Sequence, residues 1–365
     1  MFDSPAADPA LPNRFAPVRA AAPLVRFFAR RIGLSVLTLL GLVTLAFAMT
    51  KFIPGDEAQV AAGPDAGPDQ VEAMRARLGL DAPAIVQYLR FIWRLLHGDL
   101  GTSIVTYQPV LRDLERVLPS TLELVAITMV LNLVIAIPVA TIAAAQGGRG
   151  LDALTRIAAA IAAGLPVFWV ALMLQFLLGT LARVLPISGQ RGFGVTVPNW
   201  TGMRTLDALL SGNPSAFLDA SLYLVLPAAT LALHFSSQLF RALRASLELA
   251  AASDFIAPVK AKGASTARIL WRHALPNALP PVITLAGTQI ADMLGAAVLV
   301  EAVFARQGVG AYLANAVAQK DTFAVIGTVL FVGAMVCVVN LLVDAILLAT
   351  DPRLRAAELA RGGRQ

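Results

Sequence analysis

Six long apolar runs organise the chain. A helix needs roughly twenty apolar residues to cross the ~30 Å hydrocarbon core of a bilayer. Runs of about that length cover residues 32–49, 124–145, 157–182, 222–239, 281–300 and 323–343. They are continuous, unlike the alternating strands of outer-membrane barrels. The pattern therefore predicts an all-α integral membrane protein with about six transmembrane helices.

Only the fifth run contains a charged residue, Asp292. Its apolar residues each favour insertion by about 0.3–0.6 kcal/mol, whereas a central Asp costs about 2.5–3.5 kcal/mol. Because the two contributions nearly cancel, we expect this helix to insert with Asp292 facing protein or water.

Basic residues mark one side of the predicted bundle. Lys and Arg resist transfer to the outer face of a membrane and therefore collect in cytoplasmic connections. They cluster before the first run, after the second, after the fourth, and in the C-terminal tail. With six spans all four clusters fall on one side, whereas the opposite connections mix acidic and basic residues. We expect both termini and the connection 244–280 to be cytoplasmic.

The connections divide the chain into four parts. Residues 1–26 are rich in Pro and Ala, lack a helical period, and are predicted to be a flexible cytoplasmic tail. Residues 27–118 hold the first span and an outer segment, where apolar residues at three-and-four spacing predict short amphipathic helices. The transmembrane core is predicted at 119–350, and residues 351–365 form a second cytoplasmic tail.

A cleaved signal peptide is the alternative for the N-terminal region. Arg30 and Arg31 precede the first run, and Ala46, Phe47 and Ala48 offer an A-x-A cleavage site. The run is long for a signal core, and its removal would place the basic connections on the wrong side. We therefore interpret the first run as a span.

Composition agrees with a membrane protein and limits its partners. The chain is 57% hydrophobic and 14% charged, with a mean hydropathy of +0.71, which is too apolar for a water-soluble surface. Membrane lipid must solvate much of it. The net charge of +6 could indicate nucleic acid, but topology explains basic residues at the ends of apolar runs, so no nucleic-acid partner is expected.

Catalytic and metal-binding motifs are absent from the sequence. There is no phosphate-binding G-x-x-x-x-G-K-[ST], no H-E-x-x-H and no G-x-S-x-G. Cys337 is the single cysteine, so no intrachain disulfide and no zinc cluster can form. An intramembrane enzyme could use Asp292, Glu301 or Asp344, but charged residues in spans more often line the interior of a bundle. We predict no catalytic residues, no metal site and no cofactor.

The segment 253–281 predicts a basic helical hairpin. Ser253 can cap a first short helix, Gly263 can adopt the positive φ of a helix end, Ser265 can cap a second helix, and Pro276 can end it. Physical chemistry alone allows a second interpretation, in which this segment is a solvated loop whose charges only fix topology.

The hairpin sequence resembles the "EAA" loop of ABC-type importer permeases, most closely the dipeptide, oligopeptide and nickel branch. That branch is typified by A-K-G followed by R-H-A-L-x-N-A, and the chain has AKG at 261–263 and RHALPNA at 272–278. Strings such as GDLGTS at 98–103, VEAVF at 300–304, GVG at 308–310 and NLLVD at 340–344 follow in the same order. Ala257, Pro258 and Val259 replace the Glu-Ala-Ala, and Pro258 is expected to kink the first short helix.

The resemblance implies a type I ABC importer permease fold in a bacterial plasma membrane, with peptides as the expected solute. Its implied partners are a second permease subunit, homologous or identical, two cytoplasmic ATPase subunits and an external solute-binding protein. The residues implied to couple to the ATPase are Lys260, Ala261, Lys262, Gly263, Arg268, Arg272, Leu275 and Pro276. Asp292, Gln289 and Glu301 are candidates for the translocation path, with Glu301 near the outer face.

An ion-gradient-coupled secondary transporter or channel is the competing function. It would also have many spans and no nucleotide motif. Internal inverted repeats or broken intramembrane helices would favour this alternative. The sequence pattern indicates neither.

Overall fold

The computed structural model of the chain describes residues 16–52, 57–63 and 66–350. Over this part the structure is helical and has no β-strand beyond one isolated bridge, which confirms the all-α prediction. Residues 1–15 and 351–365 of the two predicted tails lie outside the described residues. The prediction of an irregular segment up to residue 26 is wrong from Ala16 onward, where the first helix begins. The alanine-rich sequence there has high intrinsic helix propensity.

The helices follow one another with short connections except at residues 97–109 and 182–203. In chain order they are α1 (Ala16–Phe52), α2 (Glu57–Ala62), α3 (Pro68–Leu78), α4 (Ala84–Leu96), α5 (Val110–Gln146), α6 (Gly150–Gly164), α7 (Val167–Leu174), α8 (Arg204–Leu210), α9 (Pro214–Ala251), α10 (Ala257–Ala261), α11 (Thr266–Arg268), α12 (Leu275–Val303), α13 (Val309–Ala318) and α14 (Thr322–Thr350). Wider π-helical turns extend α7 over Gln175–Leu181 and α11 over Ile269–Ala274.

Five helical stretches are long and apolar enough to cross a membrane. They are Arg26–Met49, Val110–Gln146, Pro214–Ala251, Thr266–Val303 and Thr322–Leu348. They contain five of the six predicted runs, and α6 with α7 supplies a sixth if that bent pair counts as one span. Length and composition therefore support the prediction of about six spans.

The third predicted run is not a continuous helix. It breaks between α6 and α7, which are bent by 107° relative to each other. Leu165 at the break is extended, with ψ 134°, and Pro166 follows it. Proline disfavours helical ψ in the residue before it and offers no backbone N–H to the preceding turn. The expectation of no broken intramembrane helix is therefore wrong at this point.

The long helices form a central bundle. Helix α9 packs against α5 along much of its length, and α12 packs against both. One buried cluster includes Leu124, Leu231 and Met293, and a second, nearer the hairpin, includes Leu243 and Leu270. Helices α1 and α14 pack together at the side of the bundle, and α4 packs on α1. The predicted short helices of the first connection are present as α3 and α4, separated by Gly79 at φ +68°.

Candidate functional site

The predicted hairpin is formed by the end of α9, α10 and α11. A short 3₁₀ turn, Asp254–Ile256, leads into α10, and the chain reverses at Gly263, whose φ of +75° confirms the predicted positive value. The Ser265 side chain accepts a hydrogen bond from the Arg268 N–H, so it caps the next helix as predicted. A Cβ at Gly263 would meet no other atom, so glycine is favoured here by the positive φ of the backbone and not by close packing.

Two details of the hairpin differ from prediction. Ser253 occupies the residue before the 3₁₀ turn, but its hydroxyl donates back to the Leu249 carbonyl at 2.9 Å and does not cap. Pro258 lies in the first turn of α10, where backbone N–H groups have no acceptor within the helix. The absence of an N–H at Pro258 therefore breaks no helical hydrogen bond, and the proline starts the helix instead of kinking it.

Pro276 does not end the second hairpin helix. The helix continues from Thr266 through Pro276 to Val303. The π-helical turn Ile269–Ala274 widens the helix just before the proline. The Asn277 side-chain amide also donates to the His273 carbonyl, four residues earlier, at 2.8 Å. The sequence prediction was wrong because the position of a proline does not show whether the turn before it can widen to accommodate it.

The hairpin presents a basic surface with aromatic residues. All the residues implied to contact an ATPase are exposed except Leu275, which is half-buried. Phe255 and Trp271 are also exposed, at 46% and 45%. Ile256, Ile269 and Leu270 are buried, which holds the hairpin onto the bundle. The surface therefore combines positive charge and aromatic area on a fixed base.

An ion-pair network braces the hairpin end of the bundle. Arg244 of α9 donates from Nε to Asp152 of α6 at 2.6 Å and from Nη2 at 2.8 Å, and it also pairs with Glu248 at 2.8 Å. Asp152 is fully buried and accepts the Gly148 N–H at 3.1 Å. The turn between α5 and α6 is thus tied to α9. The sequence analysis missed Asp152, although an acid in a helix's first turn next to a double glycine is a signal.

Helix α12 leaves one face open toward the surroundings. Thr288, Asp292, Gly295 and Leu299 follow at spacings of four, three and four residues, and all are exposed. We call these four residues the α12 open face. Asp292 forms no hydrogen bond or ion pair with the described residues. The charge predicted to face protein or water therefore points away from this chain.

Gln289 and Glu301 are buried and do not join Asp292 on the open face. Gln289 accepts a hydrogen bond from Asn132 at 2.8 Å and donates to the Phe235 carbonyl at 3.1 Å, so it connects α5, α9 and α12. Glu301 accepts the Gly310 N–H at 2.7 Å near the start of α13. Of the three path candidates, Asp292 alone is exposed in this structure.

The GVG string at 308–310 has a packing reason. A Cβ at Gly308 would collide with the Glu301 carboxylate, and one at Gly310 would collide with the Val298 backbone. Both glycines allow α13 to approach α12 closely enough for Glu301 to reach the N–H groups at the start of α13.

A second buried network lies at the end of the bundle opposite the hairpin. Arg306 pairs with Glu123 of α5 at 2.5 Å, and Glu123 also accepts the Thr205 N–H at 2.6 Å. Gln190 donates to the Ser120 hydroxyl at 2.6 Å. Burial lowers the pKa of the Arg306 guanidinium, and the Glu123 carboxylate opposes that shift. The network fastens the segment 182–213, which includes α8, over α5. Glu123 and Arg306 were not among the predicted functional residues.

The site geometry offers binding surfaces. Among the described residues, no group of three or more His, Cys, Asp or Glu side chains is placed to hold a metal ion. The arrangement consists of an exposed basic hairpin, a rigid helix and an open helix face.

Comparison with known proteins places these features in a family. The family model described as binding-protein-dependent transport system inner membrane component matches residues 136–356, and its N-terminal companion model matches residues 24–125. A probable D,D-dipeptide transport system permease protein of Escherichia coli (strain K12) is 39% identical over 329 residues, covering 90% of this chain and 95% of that protein.

Two further relatives carry related descriptions. A dipeptide transport system permease protein of Escherichia coli (strain K12) is 34% identical over 336 residues, covering 91% of this chain and 99% of that protein. A di/tripeptide transport system permease protein of Pseudomonas aeruginosa (strain UCBPP-PA14) is 34% identical over 333 residues, with the same coverage of both chains. The chain therefore belongs to the family of binding-protein-dependent transport system inner membrane components, as the motif resemblance predicted.

Proposed function

We propose that this chain forms half of the translocation pathway of an ATP-driven importer for short peptides. Family membership supports a membrane permease subunit, and three relatives at 34–39% identity over nearly their full length are described as dipeptide or di/tripeptide permeases. The proposed solute is a peptide with a small number of residues. The chain itself supplies no chemistry, and ATP hydrolysis takes place in separate subunits.

The observation that carries this proposal is the continuity between the hairpin and the α12 open face. One helical stretch, Thr266–Val303, starts at the hairpin turn and carries Asp292 farther along the same helix. At about 1.5 Å per residue, Asp292 lies about 39 Å from Thr266 along the axis. A displacement of the hairpin is therefore transmitted to the open face as a rigid-body movement.

The hairpin is proposed to dock on an ATPase subunit in the cytoplasm. Lys260, Lys262, Arg268 and Arg272 are exposed and can pair with acidic side chains, while Phe255 and Trp271 supply apolar contact area. The same basic residues satisfy the rule that Lys and Arg remain on the cytoplasmic side. This orientation places the segment 182–213 outside, where an external binding protein delivers the solute.

The α12 open face is proposed to meet the second permease subunit across the solute path. A charged Asp facing hydrocarbon would cost about 2.5–3.5 kcal/mol at the centre of a span. Hydroxyl, carboxylate and glycine residues on this face suit a wet surface better than a lipid contact. Asp292 is then available to solute and water during transport.

The bent helix pair α6–α7 is the one observation that favours a secondary transporter. Broken helices are frequent in ion-coupled carriers. In this chain Pro166 explains the break, and no charged residue lies on either side of it between Ala158 and Ala182. The break therefore offers no titratable side chain for proton coupling, and together with the family membership this favours the ATP-driven importer.

The energy source separates the two functions directly. Cells that express the chain with its partner subunits are given a radiolabelled dipeptide, and uptake is measured with either a protonophore or orthovanadate in spheroplasts. The importer predicts loss of uptake with orthovanadate and persistence with the protonophore while ATP is maintained. The reverse pattern would establish the secondary transporter and exclude the importer.

A further inference from the structure

Helix α4 has one polar side and one wide apolar side. With successive residues 100° apart, Gln87, Arg90 and Arg94 share one face, and His97 adjoins it just past the end of the helix. The remaining positions are nearly all apolar or aromatic. A short helix with arginines on one side and Trp, Leu and Ile on the other is typical of helices that lie in a membrane interface.

Part of the apolar side fixes α4 to α1. The Tyr88 hydroxyl lies 2.7 Å from the Thr44 hydroxyl, and the Phe47 ring contacts Tyr88 and Phe91 at centroid distances of 5.3 and 5.9 Å. Phe91 is buried by this contact. Helix α4 therefore lies beside the C-terminal half of the first candidate span, at the level of one leaflet.

The rest of the apolar side has no cover within the described chain. Ile85, Leu89, Trp93 and Leu96 are exposed at 63%, 58%, 66% and 76%. Four neighbouring apolar side chains that are each more than half exposed form a contiguous apolar patch, and such patches are rare on surfaces that face water. The Trp93 ring contacts the His97 ring in a tilted arrangement, with 4.4 Å between centroids, at the border between the apolar and polar sides. Trp is enriched at that border in membrane proteins.

An apolar groove of about 390 Å³ continues from this stripe. Its walls come mainly from α1, α4 and α14, and include Leu40, Val43, Leu96 and Phe331, while the connection 97–109 and the start of α5 contribute Leu100 and Leu111. Helices α1 and α14 are long and apolar enough to cross a membrane, so the groove lies beside two candidate spans. Helix α4 is about 20 Å long, which brings the groove and the arginine face within the length of one lipid molecule.

We propose that α4, α1 and α14 form a phospholipid site. The groove holds an acyl chain, the exposed stripe lies among neighbouring chains, and Arg90 and Arg94 bind the phosphate of the headgroup. The apolar walls match hydrocarbon, and two arginines one helical turn apart match an anionic phosphate. On the proposed orientation this site lies in the outer leaflet, apart from the hairpin and the α12 open face.

Tryptophan quenching by brominated lipid tests where α4 lies. The full chain, purified with its partner subunits, is reconstituted in phosphatidylcholine vesicles with bromine at the middle of the acyl chains. One variant keeps only Trp93, with Trp169, Trp200 and Trp271 changed to Phe. The matched control keeps only Trp200, which is equally exposed at 63% but lies on the segment 182–213. We expect strong quenching for Trp93 and little for Trp200.

The groove is tested by Leu40→Trp in a chain whose four native tryptophans are Phe. Quenching at this position shows that an acyl chain enters the groove. Absence of quenching at either Trp93 or Leu40→Trp overturns the proposal, because protein or water then covers the surface.

The headgroup contact is tested by comparing brominated phosphatidylglycerol with brominated phosphatidylcholine. Each surface arginine should contribute roughly fivefold to the preference for the anionic lipid. Arg90→Gln with Arg94→Gln should therefore abolish the preference at Trp93. Arg75→Gln with Arg77→Gln, on the polar helix α3, should leave it in place. An unchanged preference in the α4 variant would reject the phosphate site.

Discussion

At the scale of single residues, Arg306 shows how a charge is retained inside this protein. Its guanidinium is almost fully buried, and Glu123 supplies the opposite charge from another helix. Removing one partner of such a pair leaves an uncompensated buried charge, which costs about 3–5 kcal/mol. Replacing both partners removes that penalty.

We therefore expect Arg306→Met to destabilise the chain by about 3–5 kcal/mol, and Arg306→Met with Glu123→Gln to recover much of the loss. Thermal unfolding in detergent, followed by circular dichroism, compares the two. Equal midpoints for the single and double variants would mean that the pair does not control the energy of this site.

Gln289 and Asp292 provide a second comparison, three residues apart on α12. Gln289→Met removes two buried hydrogen bonds, including one to Asn132, and should cost about 1–3 kcal/mol. Asp292→Asn should leave unfolding unchanged, because Asp292 is exposed and forms no hydrogen bond or ion pair with the described residues. The same thermal measurement checks both variants. A large loss of stability for Asp292→Asn would contradict its position on an open face.

At the scale of elements, two prolines show where local rules succeed and where they fail. Pro166 breaks a helix, while Pro276 lies within one, directly after a π-helical turn. Gly263 and Ser265 were predicted correctly because a turn and a cap depend on neighbouring residues only. The buried pairs Asp152–Arg244 and Glu123–Arg306 join positions 92 and 183 residues apart, so a local pattern could mark Asp152 but could not reveal which residue pairs with it.

The brace between α6 and α9 can be tested through backbone mobility. Asp152→Asn weakens the bond to Arg244 and the contact with the Gly148 N–H, so amide hydrogen exchange should become faster in residues 147–156 and 240–252. Glu248→Gln is the control, since its side chain is 52% exposed and an exposed pair contributes little. Unchanged exchange in the Asp152 variant would show that the turn is held by other contacts.

At the scale of the whole molecule, the hairpin and the segment 182–213 lie at opposite ends of the bundle. The number and order of the spans could be predicted from hydropathy, because lipid imposes a length on each run. Which face of each span points outward could not, because it depends on packing among α5, α9 and α12. The open position of Asp292 and the buried positions of Gln289 and Glu301 follow from that packing.

The orientation can be tested with a membrane-impermeant maleimide in a chain with Cys337→Ala. Lys262→Cys, on the hairpin, should react only in inverted vesicles. Phe193→Cys, at a fully exposed position on the opposite segment, should react only in intact spheroplasts. Labelling of both positions from the same side would refute their placement at opposite ends of the bundle. The reversed pattern would refute the cytoplasmic placement of the hairpin.

If the hairpin turn transmits ATPase movement to the solute path, straining that turn must abolish transport. Dipeptide uptake at matched membrane levels measures this effect. Gly263→Val strains the turn at φ +75° without a steric clash. Two variants are controls: Gly263→Asn places a residue that tolerates positive φ at the same position, and Gly212→Val places similar strain at φ +64° at the opposite end of the bundle. We predict that Gly263→Val inserts normally but loses uptake and ATPase co-purification, while Gly263→Asn and Gly212→Val retain both. Wild-type uptake and co-purification in Gly263→Val would show that the hairpin turn does not transmit ATPase movement.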